Sequence, residues 1–302
     1  MRLPRALPPG GTVGIVNPSS PVELDLLDSG IAALKARGFQ VVVAPHVRDR
    51  DGHHAGSPAA RAADFSAAYT DPAIDVLWCA RGGSSAIRLW PLLDWDTLAA
   101  LPPKMVIGYS DTTSLLIPLT QQFGTAALHG PLVFELDTLA PDILDWQLRL
   151  LQDPAPAGPV PGAAPDTLVP GTAEGALCGG CLSLVVATLG TPYQMNAAGK
   201  LLLIEDTGEA PHRIERMLAQ LAQAGVLDSA AGFIVGQATD AADTHALPMR
   251  QIWSDLLIPY VKPAVLGFPF GHVTPNYALP FGVRTRLDAD AGTLTLLEGA
   301  VA

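Results

Sequence analysis

Basic residues are scarce in this chain: 18 lysines and arginines stand against 29 aspartates and glutamates, a formal charge of −11. Without a basic footprint, neither a nucleic-acid partner nor an anionic membrane surface is expected. Cysteine is scarcer still, with three in 302 residues, and an odd number in a chain this long gives no disulfide framework. No uninterrupted apolar run of about 18 residues occurs that could cross a bilayer. Prolines break the opening stretch MRLPRALPPGGTVGIV before a signal-type apolar core can form. A soluble, cytoplasmic protein is expected.

Apolar residues, by contrast, are plentiful. They make up 49% of the chain, enough for the buried core of one large domain or two ordinary ones. Thr12–Val16 reads as a buried strand, and Leu24, Leu27, Ile31 and Leu34 have helical spacing before Gly38. Gln40–Ala44 and Ile74–Cys79 read as further strands around an Ala-rich helix over Pro58–Tyr69, with Arg81-Gly82-Gly83 and a helical segment near Ser84–Trp90 following. Short strands alternating with helices imply an α/β layout, a mostly parallel sheet with helices on both faces whose functional loops lie at the carboxyl ends of the strands. Residues 153–171, DPAPAGPVPGAAPDTLVPG, are too rich in Pro, Gly and Ala for either element and read as a linker. The expected domains are therefore 1–152 and 172–302, the second smaller and richer in strand.

Lys104–Leu116, KMVIGYSDTTSLL, reads as strand, tight turn, helix. A hydroxyl at such a junction is lifted clear of the sheet edge beside the unpaired N–H groups that open the helix. Ser110 is thereby a candidate nucleophile, although an N-cap serine followed by an Asp facing the helix dipole would have the same sequence. Thr112 replaces the second glycine of G-x-S-x-G, so an ordinary α/β-hydrolase is not indicated. A serine nucleophile needs a base and a group to orient it. Glu205 directly follows the apolar strand LLLI, and His272 lies in GFPFGHVTPNYALPFG, a Gly- and Pro-rich loop without regular structure; Asp206 and Glu209 are reserve acids. A salt-bridging surface Glu and a solvated loop His would read the same way.

Two other clusters compete. Cys178-Gly179-Gly180-Cys181 allows a redox role, or two small buried thiols, and with Cys79 falls one ligand short of an all-Cys zinc site. Asp51, His53 and His54 offer metal-ligating chemistry, but adjacent histidines are expected to point apart on a solvated loop. Tyr69, Trp78 and Trp90 are expected in the core.

The runs at Gly52–Gly83, Lys104–Leu116, His129–Pro131, Gly179–Tyr193, Leu201–Leu218 and Gly267–Gly282 resemble the LD-carboxypeptidase family of serine peptidases along nearly the whole chain. The resemblance implies Ser110 as nucleophile, Glu205 as the residue orienting the base, and His272 as general base and acid. It also implies an oxyanion hole from the backbone N–H groups of Gly83 and Asp111, and a flavodoxin-like N-terminal domain joined to a smaller mixed β/α domain. The implied activity releases a terminal D-amino acid from a murein tetrapeptide through an acyl-enzyme, in peptidoglycan recycling. A second branch resembles microcin C immunity enzymes that cut peptidyl or aminoacyl nucleotides, and a non-catalytic or redox protein on the same scaffold is a third reading. No cofactor or metal is implied, the partner is a small peptide substrate, and a homodimer is expected. Arg81 is a candidate for reading the substrate's free carboxylate, or else a partner of a carboxylate in the fold. Ser84-Ser85 stands where the family usually has Tyr-Gly, Cys181 where Asn is common, and His53-His54 where Tyr-Leu is common.

Overall fold

The structure is a computed structural model and describes residues 1–164, 166–241 and 247–302. Five parallel strands make up all but one edge of the six-stranded first sheet: β1 (Thr12–Val16), β2 (Gln40–Val43), β3 (Val76–Cys79), β4 (Met105–Gly108) and β5 (Ala127–His129). Between and after them run α1 (Leu24–Ala36), α2 (Pro58–Thr70), α3 (Trp95–Ala100), α4 (Thr113–Gln121) and α5 (Pro141–Gln152). The order β2-β1-β3-β4-β5 is the flavodoxin-like one, reversing between β1 and β3. β3 and β4 are buried at every position, as covering helices on both faces require.

The remaining strands are β6 (Gly158–Pro159), β7 (Asp166–Val169), β8 (Thr172–Cys181), β9 (Leu201–Thr207), β10 (Gly232–Thr239), β11 (Ala264–Leu266), β12 (Leu279–Phe281), β13 (Arg284–Asp288) and β14 (Thr293–Leu296). All but β12 build an eight-stranded mixed sheet in the order β6-β14-β13-β8-β9-β10-β11-β7. Its centre, β8 to β11, is parallel, and its flanks are antiparallel. The helices α6 (Leu182–Ala187) and α7 (Pro211–Gln223) pack on it.

Two expectations are corrected here. Residues 153–171 are not a bare linker: β6 and β7 come from it and close opposite edges of the second sheet, with Pro165 outside the described residues. Proline and glycine are tolerated there because edge strands leave one row of backbone groups unpaired. The loop after Gly267 is not wholly irregular either, since β12 leaves the second half of the chain and pairs antiparallel with β5, Leu279 opposite His129. That crossing joins the two lobes through one continuous apolar core that includes Leu128, Leu177, Phe268, Phe270, Phe281 and Leu287. Each buried phenylalanine in it is worth about 1.5–3 kcal/mol.

Candidate active site

Ser110 lies two residues beyond the end of β4 and has φ 62, a left-handed backbone that a non-glycine residue rarely adopts. Holding it there costs about 1–3 kcal/mol, a strain characteristic of functional turns. It is not a helix cap: the residue preceding the short 3₁₀ turn Ser110–Thr112 is Tyr109, and Thr112 precedes α4. Asp111 does not face solvent at a helix end. It is buried, and its Oδ2 accepts from Ser19 Oγ at 2.6 Å and Ala86 N at 2.8 Å, tying the loops after β1, β3 and β4 together. Burial raises the Asp111 carboxyl above its ordinary pKa, an effect these donors and Arg61 offset.

The Arg81-Gly82-Gly83 loop lies against this turn. A Cβ on Gly82 would come 2.8 Å from Ser110 Cβ, and one on Gly83 (φ 120) would come 2.4 Å from Ser20 Cβ, so both positions exclude a side chain. Neither the Gly83 nor the Asp111 backbone N–H takes an acceptor among the described residues. Ser85 takes φ 78, the backbone for which a glycine is suited, and is held by His54 Nδ1 at 2.6 Å from its Oγ. Arg81 donates to the Pro21 carbonyl rather than to a carboxylate.

Glu205 lies on β9 beside Cys181 of β8, and both are buried. Cys181 N donates to Thr113 Oγ1 at 3.2 Å, which docks the start of α4 against this strand pair. His272 reaches Glu205 from the loop after β11. Its Nδ1 is 2.6 Å from Glu205 Oε2, and its backbone N donates to the same oxygen at 3.1 Å. Gly271 (φ 82) makes the approach possible, because a Cβ there would come 2.4 Å from the Glu205 carboxyl carbon. Burial alone would lower the His272 pKa, but the Glu205 hydrogen bond and charge, with Asp206 and Glu135, outweigh it and hold it above the ordinary histidine value. The ring packs on Tyr109, centroids 4.9 Å apart, one residue before Ser110. Glu205 and His272 are thus joined, and Ser110 is next to the residue His272 rests on. No hydrogen bond links Ser110 Oγ to the imidazole among the described residues; such bonds are often loose before substrate binds.

The reserve acids are engaged elsewhere: Asp206 accepts from Ser183 N at 2.7 Å, and Glu209 pairs with Arg213. Burial pushes Cys178 up to about 12, and burial with the Glu205 and Asp206 charges raises Cys181 well above its ordinary value, so neither thiol is poised as a thiolate. The His53 and His54 rings do not point apart; they lie 3.8 Å apart because Asp51 and His54 close a tight turn by mutual backbone pairing. No three His, Cys, Asp or Glu side chains are grouped to hold a metal among the described residues. Tyr69, Trp78 and Trp90 are buried in the core.

Sequence reading assigned no role to two neighbours. Glu135 accepts from the Tyr109 hydroxyl at 2.7 Å and from Leu132 N at 2.8 Å, and burial raises its pKa. His129, at the end of β5, is fully buried with its Nε2 3.9 Å from Glu205 Oε1. Its only signal was the HGP stretch, since burial is not visible in sequence. An open cleft of about 370 Å³ begins at His272 and is lined by Tyr109, Glu135, Thr207, Thr239 and Asp240.

Comparison with known proteins places the site in context. Residues 13–130 match the LD-carboxypeptidase N-terminal domain and residues 174–287 the LD-carboxypeptidase C-terminal domain. A putative carboxypeptidase of Streptomyces coelicolor is 40% identical, the alignment covering 97% of this chain and 95% of the relative. A probable murein peptide carboxypeptidase of Bacillus subtilis is 34% identical over 98% of this chain and 94% of its own. The muramoyltetrapeptide carboxypeptidase of Oxalobacter formigenes superposes with a TM-score of 0.82 at 29% identity, over 94% of this chain and 97% of that one. The microcin C7 self-immunity protein MccF, solved with aspartyl sulfamoyl adenosine, shares the fold with a TM-score of 0.88 at 24% identity over 99% of both chains.

Proposed function

Since the chain belongs to the LD-carboxypeptidase family and is a serine-type carboxypeptidase hydrolase, we propose that it removes the C-terminal D-amino acid from murein tetrapeptides through an acyl-enzyme. The observation that carries this reading is the pairing of the partly exposed His272 with the buried Glu205 at 2.6 Å, seated on the residue that precedes the strained Ser110. In the proposed cycle Ser110 Oγ attacks the carbonyl before the terminal residue, and His272 Nε2 takes its proton. Glu205 holds Nδ1–H and stabilises the imidazolium that forms. The Gly83 and Asp111 N–H groups, without an acceptor among the described residues, receive the developing oxyanion. His272 then protonates the leaving amine, and water, activated by the same base, releases the acyl chain.

Selection of a carboxypeptide substrate requires a group that reads the free carboxylate. Arg81, beside the oxyanion glycines and anchored by one N–H to the Pro21 carbonyl, is assigned that role. Cleavage in the cytoplasm by a homodimer completes the reading; no helix among the described residues is long and apolar enough to cross a membrane.

The test is hydrolysis of a tetrapeptide ending in D-Ala, followed by mass detection. Turnover is expected, with little for the L-Ala isomer, which misplaces the carboxylate, or for the C-terminal amide, which removes its charge. An enzyme that releases nothing from the D-Ala peptide but cleaves a peptidyl-adenylate analogue overturns this reading in favour of an immunity-type peptidase.

A further inference from the structure

The HGP stretch brings a histidine into the middle of the molecule that the proposed cycle does not use. His129 is fully buried, and neither ring nitrogen meets hydrogen-bond geometry with a partner among the described residues. Glu205 Oε1 is likewise buried and unpartnered, while Oε2 of the same carboxylate takes both hydrogen bonds from His272. These orphans face each other, His129 Nε2 lying 3.9 Å from Glu205 Oε1. Buried polar atoms are nearly always satisfied, so two unpaired groups of complementary chemistry side by side call for one explanation. The rest of the environment is aromatic: the imidazole is stacked on Phe281 at 5.4 Å and meets Phe270 and Tyr109 edge-on at 5.7 and 5.9 Å. A phenyl ring would fill that box without desolvating two nitrogens.

We propose that His129 is a positioning residue of the proposed triad, donating from Nε2 to Glu205 Oε1 and clamping the carboxylate from the side opposite His272. The inference rests on the triad reading above. A lone pair turned toward a carboxylate oxygen at this distance would be repelled, whereas an N–H is attracted, so the ring is the Nε2–H tautomer. Burial depresses the His129 pKa to about 4, against the pull of Glu205 and with the push of His272, so the ring is neutral in ordinary buffers. Neutrality suits the task. A lysine or arginine in this position would neutralise Glu205 and compete with His272 for its charge, while one neutral donor fixes the orientation and leaves the charge for the imidazolium. The bond shortens as the catalytic groups tighten around substrate, as such contacts do.

The groups facing this ring are Glu205, His272 beyond it, its own backbone carbonyl, which competes as an acceptor for the ring proton, and the Tyr109 hydroxyl, which is itself committed to Glu135. The first measurement needs no variant: nitrogen NMR of the full chain with ¹⁵N-labelled histidine, at neutral pH and without substrate. A neutral Nε2–H tautomer is expected at His129, and an Nδ1–H tautomer or an imidazolium overturns the proposal. The second measures the rate at which a fluorophosphonate modifies Ser110, which reads activation by His272 whatever the natural substrate. His129→Phe is expected to slow modification about tenfold or more, with the pH at which reactivity appears moved upward because the carboxylate loses a donor. His129→Gln, which keeps an N–H at similar reach, is expected to stay within a few-fold of the parent. An unchanged rate in folded His129→Phe, or equal loss in both variants, overturns it. A parent enzyme that the probe does not label at all would instead sink the triad reading, so the two failures are distinct.

Discussion

Individual residues carry the chemistry, and their coupling can be measured. If Ser110 and His272 act as a unit, Ser110→Ala, His272→Ala and the double variant should each lose on the order of 10⁶ in kcat without additivity. Near-additive losses in steady-state kinetics would show two independent groups. The pH profile tests the other half of the unit. His272 must be neutral to accept a proton, and Glu205, Asp206 and Glu135 favour its charged form over the opposing effect of burial. The acid limb of kcat/KM should therefore fall above the ordinary histidine value of about 6.5, and should move down in Glu205→Gln, which keeps the shape but removes the charge. A limb that does not move on that substitution would separate Glu205 from the base. At this scale the sequence was legible mainly through family-like context. Expected strand-end placement singled out Ser110 and Glu205, although Glu205 proves to lie inside β9, which runs on to Thr207, and nothing in spacing pairs residues more than ninety positions apart. The left-handed Ser110 backbone was legible only as a Gly-Tyr-Ser-Asp turn, and the role of His129 was hidden because burial and unpaired nitrogens are properties of the fold.

At the level of elements, apolar or periodic stretches were legible, down to the three-residue β11, whereas β5, β12 and the proline-rich edge strands were not. β1 and the helices α1 and α2 were readable within a residue or two, because four or more apolar positions in register leave few alternatives. β5 has only three residues, and β12 carries Pro280, which reads as loop until the strand is known to lie at a sheet edge. The same limit made β6 and β7 look like linker. The element β8–α6 yields a prediction about its thiols. Cys178 and Cys181 are buried with raised pKa values, and Cys181 contributes its backbone N–H, not its sulfur, to Thr113. Replacing both by serine should leave turnover within a few-fold in a folded protein. Lost turnover that follows the oxidation state of the parent enzyme would revive a redox role.

Across the whole molecule, the shared core and the β5–β12 pairing should make two lobes that sequence divides at a linker unfold as one cooperative unit. Calorimetry should record a single unfolding transition, with calorimetric and van 't Hoff enthalpies in agreement; two separable transitions would restore the boundary. The β5–β12 pairing also has a consequence for how the enzyme is born. His129 and Leu279 are partners across about 150 intervening positions, a contact that pays its loop-closure entropy late. The nucleophile turn is made early in synthesis, whereas the imidazole emerges only a few residues ahead of the strand that brings the lobes together. A nascent chain thus carries Ser110 on the ribosome without its proposed base until β12 has been made, and β13, β14 and the C-terminal residues close onto the earlier chain only after that.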